Sequence, residues 1–391
     1  MKDKIKDFVA KMESEIIKFA QDIVRIKSYT GEEKEIAMFV KDKMIELGYD
    51  DVIVDKLGNV IGVIGNGETK ILYDSHIDTV EVNDAKEWSV DPFGGEIIDG
   101  KIYGRGATDM KAGVAANVYA GYAIKKLGLD KGKTIYVSTS VMEEDYEGKA
   151  IEHFSEEYNM KPDYVIICEP SSLKLALGHK GRAVFRVDMP GVAAHGSAPE
   201  KGVNAIYKMK TVIDRVEELG KKFMAMEGEK GALALTKIES EAVSINAIPD
   251  KCSAYLDRRL VKGEDEAFIE KEMEILLAGT DATWETYDKI GKSWTGEELI
   301  LHSFLPCWEI DKESKLAKAS VEAFQELNEK KPTMFKWDFC TNGVGSAGKM
   351  GIPTIGFGPG DPKLAHTRDE NCPISDIIKA CEFYTNLVSY L

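Results

Sequence analysis

His76 and Asp78, one residue apart, close the apolar run Ile71-Leu72-Tyr73. On an extended chain alternate side chains share a side, so the two point the same way. An imidazole that binds a metal needs an acceptor for its other nitrogen, and a carboxylate in the place of Asp78 supplies one. Alone, a His-x-Asp at a strand end is a common coincidence. Asp109 follows Gly104-Arg105-Gly106, glycines that permit a tight backbone path, and opens a helix where the dipole favours a carboxylate. A plain helix cap would read the same way, and the glycine spacing does not complete a dinucleotide fingerprint. Glu143-Glu144-Asp145 follows the apolar run Ile135–Met142, and Glu169 ends the run Tyr164–Cys168. His366 stands in a glycine- and proline-rich loop behind Thr354–Phe357. As a set, His76, Asp109, a glutamate of the Glu143-Glu144 pair, Glu169 and His366 suit two divalent ions, provided one carboxylate bridges them. Each ion then has three protein ligands and an open position for water. Nitrogen and oxygen donors without thiolate favour zinc, with cobalt or manganese as alternatives.

These residues share one kind of address, the C-terminal end of a strand-like run or the loop after it. Ligand sites of open α/β sheets lie along that edge. The elements needed to build such a sheet are present. Helical spacing of apolar residues predicts a helix over 5–26 and a second ending at Gly48. Short apolar runs at 52–54, 60–64, 71–73, 135–142 and 164–168 read as strands, and 112–127 as a helix between two of them. Strands alternating with helices predict an α/β fold with a largely parallel sheet flanked by helices. The pattern changes near His179. Residues 183–189 alternate like a half-exposed strand, followed by a helix over 204–219 and strands over 233–238 and 252–260. A helix over 264–278 and a strand near 282–287 complete a compact, ferredoxin-like α+β insert. After about residue 296 the α/β character returns, with a helix over 313–328, a strand at 354–357 and a closing helix over 376–391. The expected organisation is a catalytic domain made of residues 1–179 and 294–391, interrupted by a lid domain over 180–293.

Composition limits what such a chain does. Hydrophobic residues make up 43% and charged residues 30%, enough to bury a core without disulfides. Lys plus Arg number 51 against 67 Asp plus Glu, a formal net charge of −16, which argues against nucleic acid or an anionic membrane as partner. No stretch approaches the ~20 apolar residues that cross a bilayer. The first residues lack the apolar core of a signal peptide, and the six cysteines are scattered without a CxxC pair. A reducing cytoplasm is the expected compartment.

In order along the chain, His76-x-Asp78, Gly104-Arg105-Gly106-x-x-Asp109-Met110-Lys111, Glu143-Glu144, Cys168-Glu169-Pro170, His195 and His366 resemble the M20 metallopeptidase family, which includes acetylornithine deacetylase, succinyl-diaminopimelate desuccinylase, aminoacylase and carboxypeptidase G-like enzymes. The likeness runs from about residue 15 to the C-terminus. It implies a zinc-exopeptidase-like catalytic domain, with His76 and Glu169 on one metal, Glu144 and His366 on the other, and Asp109 bridging. It also implies that Asp78 orients His76, that Glu143 is the general base, and that the Asp109–Met110 bond is cis. The resemblance assigns the oxyanion donor to His195, reaching the site from the lid of a partner subunit, and hence a homodimer through the lid. Asn246 and Arg258 fall where family members contact substrate, Arg258 as a two-bond clamp on a carboxylate. Asn342 and Gly343 match the loop that cradles the substrate's other end. His179 lies where the desuccinylase branch has an arginine, a departure that weakens the case for a dicarboxylic acyl group.

The activity expected from these readings is hydrolysis of a small N-acyl or N-carbamoyl amino acid. Glu169, in a ligand position where aspartate also occurs, leans toward the deacylase members. The stretches Gly178-His179-Lys180-Gly181-Arg182 and Cys340-Thr341-Asn342-Gly343 resemble a subgroup linked to selenium-associated purine breakdown, which implies a ureido substrate. The alternative within the family is a dipeptidase or aminopeptidase. A non-catalytic binding protein on the same scaffold would need a ligand or the base to be missing, and all are present.

Overall fold

The computed structural model describes residues 1–83 and 85–391. A nine-stranded mixed sheet runs in the order Asp51–Val54, Val60–Gly65, Lys133–Ser140, Thr69–His76, Tyr164–Ile167, Thr354–Gly356, Leu175–His179, Trp308–Glu309, with Met334–Trp337 also paired to Leu175–His179. The four strands in the middle, from Lys133–Ser140 to Thr354–Gly356, are mutually parallel. Their sequences are near-continuous apolar runs because both faces are covered. On one face the helices Lys2–Arg25, Ala112–Leu127 and Ile374–Leu387 pack in the core that holds Ile71, Tyr73, Ile135 and Ile166. On the other, Ile151 and Phe154 of the helix Lys149–Glu157 meet Leu72, Val165, Ile167 and Trp337.

The insert is a second hydrophobic core. Gly181–Pro190, Ala205–Ala225, Ala232–Glu241, Lys251–Leu260, Glu266–Leu277 and Thr283–Thr286 follow one another as strand, helix, strand, strand, helix, strand. The sheet order places the third strand between the second and the first, with the fourth outside the first, all antiparallel. That is the ferredoxin-like order expected from the pattern. Ala183, Phe185, Val187 and Met189 of its first strand alternate into the core against Met209, Val212 and Ile269 of the two helices.

The junction differs from the simple cut expected at 293. Phe304–Leu305 pairs with Gly181–Pro190 of the insert. The hairpin Lys289–Lys292 with Glu298–Leu301, by contrast, sends Leu299 and Leu301 into the large core. At its tip Trp294 Nε1 donates to the Gly58 carbonyl at 3.3 Å. The chain therefore crosses back, then touches the insert once more.

Candidate metal centre

His76, Glu143–Glu144, Glu169 and His366 leave from the C-terminal ends of the four parallel strands, and Asp109 opens the crossover helix between two of them. His76 ends its strand with Nδ1 3.0 Å from the Asp78 main-chain carbonyl and 3.6 Å from the Asp78 carboxylate. Asp78 thus holds the ring chiefly through its backbone. Its carboxylate has another task, accepting from the Glu143 N–H at 3.0 Å, the Glu144 N–H at 3.1 Å and Thr30 Oγ1 at 2.9 Å. Met142 enters that turn with φ of 63°, and its N–H donates to Glu33 Oε1 at 3.1 Å. Two buried carboxylates therefore shape the turn that presents Glu143 and Glu144.

Asp109 is set by a third. Glu370 accepts from the N–H groups of Gly106, Thr108 and Asp109, and from Arg105 Nη1 at 2.6 Å. Gly106 has φ of 81°, a conformation glycine adopts without cost. The Asp109–Met110 bond is cis. Asp109 Oδ1 lies 3.1 Å from His76 Nε2, and Oδ2 lies 3.3 Å from His366 Nε2. Glu169 stands 3.5 Å from His76 Nε2, and Glu144 3.0 Å from His366 Nε2. Glu143 approaches His76 Nε2 only to 3.9 Å, and its other oxygen is buried without a partner.

So much acid in one buried place cannot all stay charged. Burial pushes the Glu143 and Glu169 carboxyls well above the usual range, and neighbouring acids add to the rise. Burial, with the Asp109 charge, lifts Glu144 to about 7. For Asp109 burial is outweighed by hydrogen bonds from His366 and His76, which hold it below its ordinary value. Hydrogen bonds to Asp109 and Glu144 raise His366 to about 10, and Glu169 with Asp109 raises His76 against its burial. The cluster is a donor set with more negative charge than two imidazolium ions balance. Four acidic side chains, two imidazoles and an orphaned carboxylate oxygen fit two divalent cations.

The residues expected to hold substrate fare differently. Arg258 is a correction: it is fully buried, bonded to Glu272 at 2.9 Å and Glu264 at 2.7 Å, and lies over the Phe223 ring. Its strand alternates, so Cys252, Ala254, Leu256, Arg258 and Leu260 all face the helices of the insert. Arg259 points the other way and lines a cavity of about 240 Å³ with Asp109, Glu143, Glu144, Glu169 and His366. Opposite Arg259 in the ladder is Arg182, which also lines the cavity and pairs with Glu147 at 2.8 Å. His179 is likewise buried, with both nitrogens taken: Nδ1 donates to the Lys180 carbonyl at 2.7 Å and Nε2 accepts from the Thr341 N–H at 3.2 Å. Burial drives its pKa down to about 4, so the ring is neutral. Asn342 is structural too, donating to Asp74 at 2.9 Å and accepting from the Gly148 N–H at 2.7 Å. Gly343 is buried, and a side chain there would strike Trp308. From that loop it is Phe339 and Cys340 that reach the cavity. His195 and Asn246 are exposed on the insert, in neighbouring segments joined by the bond from the Gly196 N–H to the Asn246 carbonyl at 2.6 Å.

The fold and this cluster define a hydrolase scaffold built around a two-cation site. Residues 72–390 match peptidase family M20/M25/M40. A protein of Escherichia coli (strain K12) named YgeY, described as uncharacterized, is 37% identical over 385 residues, covering 98% of this chain and 94% of its own. The acetylornithine deacetylase of Buchnera aphidicola subsp. Schizaphis graminum is 31% identical over 321 residues, 80% of this chain and 78% of the relative. The solved Bacillus subtilis protein described as a dinuclear metal binding peptidase from the M20 family superposes with a TM-score of 0.71 at 13% identity, covering 97% and 98% of the two chains. The chain belongs to peptidase family M20/M25/M40, and is a metal-dependent hydrolase acting on C–N bonds of the amide type.

Proposed function

We propose that this hydrolase cleaves the amide or ureido C–N bond of a small N-acyl or N-carbamoyl amino acid, at two cations held by His76, Glu169, Asp109, Glu144 and His366. The observation that carries the reading is the division of Asp109, one oxygen toward each imidazole. Each half then offers a histidine, a carboxylate and a share of Asp109, a donor set suited to zinc and also to cobalt or manganese. Two such ions, when bound, lower the pKa of water from 15.7 to ~7 and polarise a carbonyl. Glu143, the acid farthest from His76 among the three beside it, takes the proton from the attacking water and returns it to the leaving nitrogen.

Arg259, on the insert side of the cavity with Nε and Nη2 donating to Asp257 at 2.8 and 3.2 Å, offers its remaining Nη1 to the carboxylate of the amino acid. His195, exposed with Nδ1 accepting from Ser197, keeps its other nitrogen for the developing oxyanion of a partner subunit in a homodimer joined through the insert. All six cysteines are free, which accords with the cytoplasm. Among the described residues no helix is long and apolar enough to cross a membrane. A second reading is a dipeptidase or aminopeptidase, in which a substrate's free amine would share Glu147, a buried carboxylate in the same cavity, with Arg182.

One assay separates them. N-acetyl amino acids, N-carbamoyl amino acids and dipeptides are offered to zinc-reconstituted enzyme, with chelator-treated protein as blank. Turnover of the acyl or carbamoyl compounds above the dipeptides is the expected result. Dominant dipeptide cleavage puts the second reading first, and activity undiminished by chelation sinks both.

A further inference from the structure

Outside the catalytic cluster, one other group of side chains among the described residues has the make-up of a cation site. Asp55 lies in the turn after the first strand of the large sheet, and His153 and Glu157 stand one turn apart on the same face of the helix Lys149–Glu157. His153 Nδ1 is 3.4 Å from Asp55 Oδ2 and 3.7 Å from Glu157 Oε2, and one donor atom of each lies within 4.8 Å of the other two. Ligands around a tetrahedral ion with bonds of ~2.1 Å are about 3.4 Å apart. Two of the three separations meet that value within a few tenths of an ångström.

The least mobile of the three is already fixed in place. The Asp55 side chain is fully buried, and Oδ1 accepts from the Gly58 and Asn59 N–H groups, each at 2.8 Å. Oδ2 accepts from Asn59 Nδ2 at 2.7 Å and still faces His153. Glu157 Oε2 accepts from the Lys56 N–H at 3.2 Å, and the exposed Lys56 ammonium, 3.8 Å from Oε1, is the one competing cation close to it among the described residues. His153 and Glu157 are each about one-fifth exposed, which leaves a path for an ion and water. One imidazole and two carboxylates are also what each half of the catalytic cluster presents.

We propose that Asp55, His153 and Glu157 form a third divalent-cation site, taking zinc with water in the remaining position. Its role is to fasten rather than to react. The turn 55–59 is a junction: Asn59 Oδ1 accepts from the Val141 N–H at 2.9 Å, on the segment that delivers Glu143, while Gly58 and Lys56 carbonyls receive Trp294 and Thr295 of the hairpin returning from the insert. An ion here joins that turn to the far end of the helix that begins just after Glu147.

The test uses the full chain, stripped with chelator and re-supplied with zinc alone. Bound zinc per chain is counted after gel filtration for the wild type, His153→Ala and Glu157→Gln. The wild type should retain one equivalent more than either variant, with the last equivalent raising its Tm. Amide exchange at Gly58 and Asn59 should slow with that equivalent in the wild type alone, and zinc-saturated activity should be the same in all three. Equal zinc in the three proteins overturns the proposal. So does a shared loss of zinc and activity, which would place the missing ion in the catalytic pair.

Discussion

The large sheet and the insert sheet each send charged side chains toward one cavity, but they do so under different rules. In the large sheet four parallel strands stop at one edge, and the segments after them supply Glu143, Glu144, Glu169 and His366 to the site. In the antiparallel insert a residue's side depends on whether its number is odd or even, so one step along the strand exchanges cavity for core. Arg258 and Arg259 show the difference: Arg258 holds two insert glutamates together, whereas Arg259 faces the metal cluster.

Substitutions in either sheet put this contrast at risk. Glu143→Gln, at the parallel edge, should lower kcat by ~10²–10⁴ while bound metal stays constant, as measured by steady-state kinetics beside metal analysis. A fall in metal content of the same size would make Glu143 a ligand instead. On the insert, Arg258→Ala strands Glu264 and Glu272 and should cost ~3–5 kcal/mol in denaturant unfolding, with KM unmoved. His179 sits between the two regions, at the end of the strand Leu175–His179. Its pKa is depressed from 6.5 to about 4, so the unfolded chain binds a proton that the folded chain refuses. Stability should therefore be whole above pH 6.5 and fall by about 3 kcal/mol as pH drops through 4, a decline absent from His179→Gln. Arg259→Ala should have the smallest effect, raising KM about tenfold for a carboxylate-bearing substrate without altering stability. If Arg258→Ala raised KM and Arg259→Ala did not, the assignment by parity would fall.

Much of the edge was legible because strand, acid and histidine occur in a fixed local order at each of its positions. The alternation 252, 254, 256, 258, 260 was legible as well, since four of those residues are apolar. That pattern is the signal that could have placed Arg258 in the core, where the structure has it. Other parts had no local signal. Glu370 binds three backbone N–H groups some 260 residues earlier, and nothing near it in sequence announces that it is buried. Trp308–Glu309 and Met334–Trp337 are too short to show a period, and they join the sheet because Leu175–His179 offers an edge. Asn342 and His179 have the polar chemistry of ligand contacts. Their partners, Asp74 and the Thr341 N–H, become visible only once the chain is folded.

The pair between Arg182 and Glu147 spans the gap between the two sheets, beside the cations' acids. It works as a latch. Any widening of the cleft must first separate these charges. Salt screens such a fastening little, because Glu147 is 6% and Arg182 22% exposed. Two side chains outside the metal-binding set thus help to hold together the two walls of the cavity.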